Sequence, residues 1–391
     1  MIGIAVLLLL GGGALGGRRA AAQAVGGTET AAQAVGGTET ADSSLRREVG
    51  QMIVAGFRGF EAEGDILRAV RELGIGGVIY FDRDVPTGTN RRNVRSPQQL
   101  RRLSDDLQRA AREAGHPPLL VTVDQEGGRV NRLKPAYGFP ASVSAAYQGA
   151  RNHPDTTRRW AEQTARMCRQ AGVNVDFAPC VDVNVNPQCP VIGALGRSFS
   201  ADTAVVTEQA RIWIDALHGS GLVASLKHFP GHGSSQVDSH LGLTDITRTW
   251  QRERELAPYR ALFERGYADF VMVGHLLHRE VDPDYPASLS RRWIDGVLRR
   301  EMGFRGLVIT DDLNMGAIVD HYSLERALEL AICAGVDLVI IGNNGPSYEP
   351  DLTPRTIDLI CGLVARGRIP RERITEAYRR ITALKEARLV R

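Results

Sequence analysis

The chain has 391 residues, 43% of them apolar, with 48 basic against 45 acidic side chains and a formal net charge of +3. That apolar content can build a substantial core and excludes disorder throughout, and so small a net charge gives no basic footprint for nucleic acid. Arginine supplies forty-five of the basic residues and lysine only three, Lys134, Lys227 and Lys385. A lysine kept inside a motif of such a chain points to a need for a compact ammonium.

The N-terminus differs from the rest. Residues 1–24 contain a short apolar run, "IGIAVLLLL", and an A-x-A-like site at Ala22-Gln23-Ala24. Nine apolar residues are too few to span a bilayer, and the segment reads as an export signal, although no positive charge precedes the run. On this reading the protein is exported, either secreted or held at the cell envelope. Without the signal it would be cytoplasmic. No cysteine precedes Cys168, so a lipoprotein anchor is not expected. Residues 25–43 include most of an exact tandem repeat, "AAQAVGGTET", at Ala21–Thr30 and Ala31–Thr40. Its small polar composition predicts a flexible linker, with the folded domain over residues 44–391.

From there the sequence alternates β-branched runs with segments of helical period. Eight candidate strands appear: "MIVAGF" from Met52, "GGVIYF" from Gly76, "LLVTVD" from Leu119, "VNVDFAP" from Val173, "LVASLKH" from Leu222, "FVMVGH" from Phe270, "GLVITDD" from Gly306 and "DLVIIG" from Asp337. Helices are expected over Pro97–Ala114, Thr156–Ala171, Ala201–His218, Pro258–Arg265 and Leu324–Ala334. Eight nearly all-apolar strands predict a (β/α)8 barrel, an α/β fold with one catalytic domain. A doubly wound sheet would call for a glycine-rich G-x-G-x-x-G turn after the first strand, and "AGFRGF" is not one.

Polar residues cluster where those strands end: Asp124, Asp176, Lys227, His228, His275, Asp311, Asp312 and Asn343. A barrel builds its active site at that rim, so the set reads as functional even though any one member could be a turn or cap residue. Five cysteines without a CxxC pair argue against a zinc ribbon and a fully bridged scaffold. Buried thiols are the default reading, with one bridge, Cys180–Cys189, left open.

The densest stretch is "KHFPGHGSSQVDSH", Lys227–His240. A metal site of His228, His232 and His240, with Asp238, would suit zinc, but Pro230, Gly231 and Gly233 prevent the helix that the first spacing suggests. A phosphate cradle lacks the P-loop pattern. The remaining reading pairs Asp238 with His240 two residues on. The carboxylate fixes the imidazole, and the imidazole moves protons near neutrality. His232 is expected to brace the turn.

These motifs, with "DQEGGRVNR" (Asp124–Arg132), "LGRSFS" (Leu195–Ser200) and "VITDDLNM" (Val308–Met315), resemble family 3 of the glycoside hydrolases, in its β-N-acetylhexosaminidase branch. The resemblance implies removal of terminal β-linked N-acetylglucosamine with retention, through a covalent glycosyl-enzyme, with no metal and no cofactor. It assigns the nucleophile to Asp311, the acid/base to His240 with Asp238 as its partner, and sugar binding to Asp124, Arg132, Arg197, Lys227 and His228. Glu126 and Arg129 read as a supporting ion pair. Asp312, His275 and Asn343 are candidates for the layer behind. The arginine-bearing insertion after the second strand (Arg91, Arg92, Arg95) reads as a solvated loop. One helix or two follow the last strand, so the acid is expected from the barrel itself. The expected substrate is an N-acetylglucosamine-containing glycan or muropeptide, and a monomer is expected. Phosphorolysis to N-acetylglucosamine 1-phosphate is the near alternative, since a neutral histidine leaves room for an incoming phosphate. A catalytically silent glycan-binding barrel is the alternative of another class.

Overall fold

A computed structural model describes residues 42–238, 242–266 and 269–390. The proposed export segment and repeat therefore lie outside the described residues, as does His240. The unit that begins at Ser44 carries eight parallel strands: β1 (Ile53–Gly56), β2 (Gly77–Tyr80), β3 (Leu120–Val123), β4 (Val175–Asp176), β5 (Val223–Phe229), β6 (Phe270–Val273), β7 (Leu307–Thr310) and β8 (Val339–Ile341). Their order in the sheet is β8-β1-β2-β3-β4-β5-β6-β7, and an Ile309–Leu338 bridge joins the two ends into a closed barrel. Every residue of the eight strands is buried, as expected of strands covered on both faces. Seven fall within the runs read from the sequence, and β5 extends one residue past its run, to Phe229.

Helices fill the connections by amphipathic logic. In Pro97–Glu113, Ser96 caps the N-terminus by accepting from the Gln99 amide at 3.1 Å, and Leu100, Leu103, Leu107, Ala110 and Ala111 are buried on one face. That spacing is the 3.6-residue stripe of a helix lying on a sheet. The last helix, Arg371–Arg388, closes the N-terminal end of the barrel: buried Lys385 donates to Gln51 Oε1 at 2.7 Å and to the Gly76 carbonyl at 2.8 Å. No helix among the described residues is long and apolar enough to cross a membrane.

The segment after β5 folds against its neighbour. Thr244–Asp245 pairs in parallel with Leu276–Leu277, so the excursion that carries Asp238 leaves the barrel at Pro230 and returns beside the loop that follows β6.

One open alternative is closed and one expectation is corrected here. All five cysteines are thiols. Cys180 Sγ faces Asp182 Oδ2 at 3.2 Å and Cys189 Sγ faces the His232 carbonyl at 3.4 Å, so each points to an acceptor. The insertion after β2 is not a solvated loop. Arg92 is fully buried and donates to Asp84 Oδ1 at 2.6 Å and to the Asn343 carbonyl at 2.8 Å, which draws the insertion onto the barrel. Arg91 and Arg95 remain exposed.

Candidate active site

A cleft of about 640 Å³ opens at the C-terminal ends of the strands. Asp82, Asp124, Arg132, Asp311 and Asp312 line it, together with Ile79, Met272, Met315 and Ile340. Convergent polar groups in a largely apolar concavity at this end of a parallel barrel are the usual form of an active site.

Asp124 follows β3 directly, and the loop behind it is folded by one side chain. Gln125 Oε1 accepts from the amides of Arg132 and Leu133, both at 2.9 Å, and its Nε2 donates to Asn131 Oδ1 at 2.8 Å. This returns Arg132 to the cleft beside Asp124. The buried Arg132 Nε has no hydrogen-bond partner among the described residues, and its NH1 stands 3.9 Å from Asp82 Oδ1. Asp82, which no motif signalled, is itself buried and takes Lys134 and the Tyr137 hydroxyl.

Behind Asp124 lies a buried charge relay. Lys227 Nζ bonds Asp124 Oδ1 and Glu126 Oε1, each at 2.7 Å. Arg197 grips Glu126 with two parallel bonds, Nε to Oε2 at 2.8 Å and NH2 to Oε1 at 2.7 Å, and its NH2 also meets His228 Nε2 at 3.1 Å. Burial alone would raise the Glu126 carboxyl, but Arg197 and Lys227 outweigh it and hold the group well below the usual carboxylate range. Burial likewise works against the Lys227 ammonium, and Asp124 and Glu126 more than offset it. Both therefore stay charged. Arg197, Lys227 and His228, all predicted as sugar-binding, are buried in this layer, and none of them lines the cleft itself. The expected Glu126–Arg129 pair is also corrected, because Arg129 is exposed and Arg197 takes its place.

Asp182, another residue without a signalling motif, organises the histidine-rich loop. Its carboxylate accepts from His228 Nδ1 at 2.7 Å, from the His228 amide at 3.2 Å and from the His232 amide at 2.7 Å. Burial pushes against its charge, yet His228 brings it to about 2. His232 faces the Ser235 hydroxyl at 2.7 Å through Nδ1. Burial and the nearby His228 lower its pKa to about 4, so it is neutral at pH 7. Cys180, Asp182 and His228 bring three donor atoms within 4.8 Å of one another, a geometry that could serve a metal. The carboxylate is already saturated with hydrogen bonds, however, and the Arg197 guanidinium faces the other His228 nitrogen, so a cation there would meet charge of its own sign.

Burial continues through Ser235, Gln236 and Val237 are exposed, and Asp238 is half-buried. The loop is thus anchored up to Ser235 and reaches outward beyond it.

Asp311 follows β7, with its amide on the Val273 carbonyl at 3.0 Å and its Oδ1 accepting from the Asp312 amide at 2.8 Å. Asp312 holds the neighbouring loops, its Oδ1 accepting from the amides of Asn314 and Gly342 at 3.0 and 2.9 Å. Three further rim residues are structural. His275 spans Ser288 Oγ and the Asp312 carbonyl, Asn343 holds Glu349 through both ends of its amide, and Asp176 accepts from the Gln125 amide at 3.0 Å. Burial raises the Asp176 carboxyl well above its usual value.

Fold and site define an eight-stranded parallel-barrel enzyme with carboxylates and a guanidinium at its C-terminal mouth. Residues 44–384 match the model of the glycosyl hydrolase family 3 N-terminal domain, and the chain belongs to that family and is a glycoside hydrolase. A β-hexosaminidase of Xanthomonas oryzae pv. oryzae is 33% identical over 321 residues, 80% of this chain and 87% of the relative. One from Tolumonas auensis is 34% identical over 290 residues, 73% and 81% of the two chains. Among solved structures, a family 3 β-N-acetylglucosaminidase from a Paenibacillus species superposes with a TM-score of 0.80 at 36% identity, covering 88% of this chain and 63% of that one. A β-N-acetylhexosaminidase from Beutenbergia cavernae gives 0.77 at 28% identity, covering 88% and 98%.

Proposed function

We propose that the protein is a retaining β-N-acetylglucosaminidase acting on terminal N-acetylglucosamine of cell-wall fragments. The observation that supports this most is the convergence of Asp311, Asp124 and Arg132 in one cleft, with Lys227 bonded to Asp124 from behind. Asp311 at the end of β7 is suited to attack the anomeric carbon and form the glycosyl-enzyme. Asp124 can accept from sugar hydroxyls while Lys227 holds it in place, and the unpartnered Arg132 Nε offers a donor beside it. His240, oriented by Asp238, would protonate the leaving oxygen and later activate the acceptor. Asp238 stands just beyond the firmly held Gly231–Ser235 turn.

The decisive experiment traps the intermediate with a 2-acetamido-5-fluoro glycosyl donor and maps the labelled peptide. Label is expected on Asp311, and label elsewhere would overturn the assignment. Asp311→Ala should lose roughly 10³-fold or more in kcat on a chromogenic β-N-acetylglucosaminide, as removal of a nucleophile does. Adding inorganic phosphate should leave free N-acetylglucosamine as the product, and diversion to the 1-phosphate would identify a phosphorylase. Binding of a muropeptide without turnover would mark a glycan-binding protein. We further propose export, tested by sequencing the N-terminus of the mature protein.

A further inference from the structure

The cleft continues outward past Asp311, and its outer end has a different character. The inner end is buried, with Ile79, Asp82 and Met272 each at most 3% exposed. At the outer end stand Arg83, Val85, Val319, Asp320 and Pro346, with Val85 and Val319 half-exposed at 49% and 50%. These valines are two of the few large apolar side chains that the described residues leave in water.

Arg83 is the unusual member. Its flanking residues are both aspartates, yet it pairs with neither. Asp82 turns inward to Lys134 and Arg132, and Asp84 turns inward to Arg58 and Arg92. The chain bends at residues 82 and 83, and it buries Asp82 and Asp84 while leaving Arg83 exposed. Among the described residues no carboxylate lies within 4 Å of the Arg83 guanidinium, although most arginines of this chain are matched to an acid. The turn is also fixed in place. Asn344 Nδ2 donates to the Arg83 carbonyl and Asn344 Oδ1 accepts from the Val85 amide, both at 3.0 Å. The outer cleft thus presents an uncommitted planar cation on a held backbone, beside apolar surface. Asp320 is the opposing charge at the same rim and disfavours an aglycone with several negative groups.

We infer that Arg83 is a specificity-determining residue that receives a single carboxylate, carried on a short apolar stem, from the aglycone of the substrate. The inference rests on the glycosidase reading of the cleft and refines it. The 3-O-lactyl ether of N-acetylmuramic acid has this chemistry, and a neutral chitooligosaccharide lacks it. Arg can hold a carboxylate through two parallel bonds, while the lactyl methyl would lie on Val85 and Val319.

The test compares kcat/KM for N-acetylglucosaminyl-N-acetylmuramic acid, its methyl ester and N,N'-diacetylchitobiose. In the wild type the acid should be preferred over its ester, and in Arg83→Ala the acid-to-ester ratio should fall about tenfold, the usual scale for losing a charge-assisted hydrogen bond. Arg83→Lys should recover part of the ratio, and the loss should sit mainly in KM. An acid-to-ester ratio equal in wild type and Arg83→Ala, or a wild type indifferent to esterification, would refute the inference. A wild type inert on the chromogenic N-acetylglucosaminide as well would instead remove the glycosidase reading beneath it.

Discussion

Glu126 shows how much of a site is set by residues that never touch the cleft. Its carboxylate neutralises two buried cations, Arg197 and Lys227, and Lys227 in turn holds Asp124. Glu126→Gln keeps the volume and deletes the charge, leaving both cations partly unpaired in a dry layer. Loss of about 3–5 kcal/mol is expected, the range for breaking a buried pair from one side, with a fall in activity as Asp124 loses its support. Urea unfolding of the two proteins checks it. Arg129→Ala should stay within about 0.5 kcal/mol of wild type, as exposed substitutions do. The contrast marks a limit of reading from sequence. Proximity along the chain suggested Arg129 as the partner, but the loop turns that side chain to solvent, and the true partner lies 71 positions away. Asp82 and Asp182 were hidden for a similar reason. Nothing local distinguishes a carboxylate that three-dimensional packing will surround with donors from one left in water.

At the scale of elements the sequence was far more legible. Each strand is buried on both faces, so apolar residues dominate it up to the polar positions near its C-terminal end, and that pattern needs no long-range information. The positions after the strands were harder. Asp124 and Asp311 came into the cleft, whereas Asn343, His275 and Asp312 became braces between loops. Both kinds of residue are polar and both follow a strand, so a motif shared with a family carries information that spacing does not.

The turn after β5 illustrates what such a brace demands. Gly231 has φ of +126°, and a Cβ there would stand 2.7 Å from the Glu255 Cβ and 2.8 Å from its Oε2. Glu255 is buried, with Oε1 on the Gln251 amide at 3.2 Å. Gly231→Ala should therefore displace the turn that positions the Asp238 excursion. The expected cost is about 1–3 kcal/mol from backbone strain and crowding, with a fall in kcat larger than any change in KM. A variant with wild-type melting and kinetics would show that the excursion does not depend on this turn.

Over the whole molecule, buried charge sits at both ends of the barrel and should leave a signature in the dependence of stability on pH. At the N-terminal end Asp337 is fully buried and takes Arg299 at 2.7 Å, Arg373 at 2.7 Å and Arg380 at 3.1 Å. This joins the last helix, Arg371–Arg388, and the segment before β7 to the base of β8. Nearby Lys385 is also fully buried but has only neutral partners, Gln51 and the Gly76 carbonyl. Burial lowers its pKa from the ordinary 10.5 to about 7. Glu255, behind the turn after β5, is shifted the other way, from 4.5 to about 8, again by burial. The signs follow from which state holds the proton. Between about 7 and 10.5 the unfolded lysine is protonated and the folded one is not, so stability rises with pH in that window. Between 4.5 and about 8 the folded glutamic acid keeps a proton that the unfolded one has lost, so its contribution falls as pH rises. Lys385→Met should abolish the rise above pH 7, apart from a constant offset for the unpaired Gln51 and Gly76 oxygens, and Glu255→Gln should flatten the decline below pH 8. Chemical denaturation at half-unit steps from pH 5 to 10 reads both. Equal slopes for wild type and Lys385→Met between pH 7 and 10 would mean that the lysine reaches water or a counter-charge, and that the last helix holds the barrel less tightly than its burial indicates.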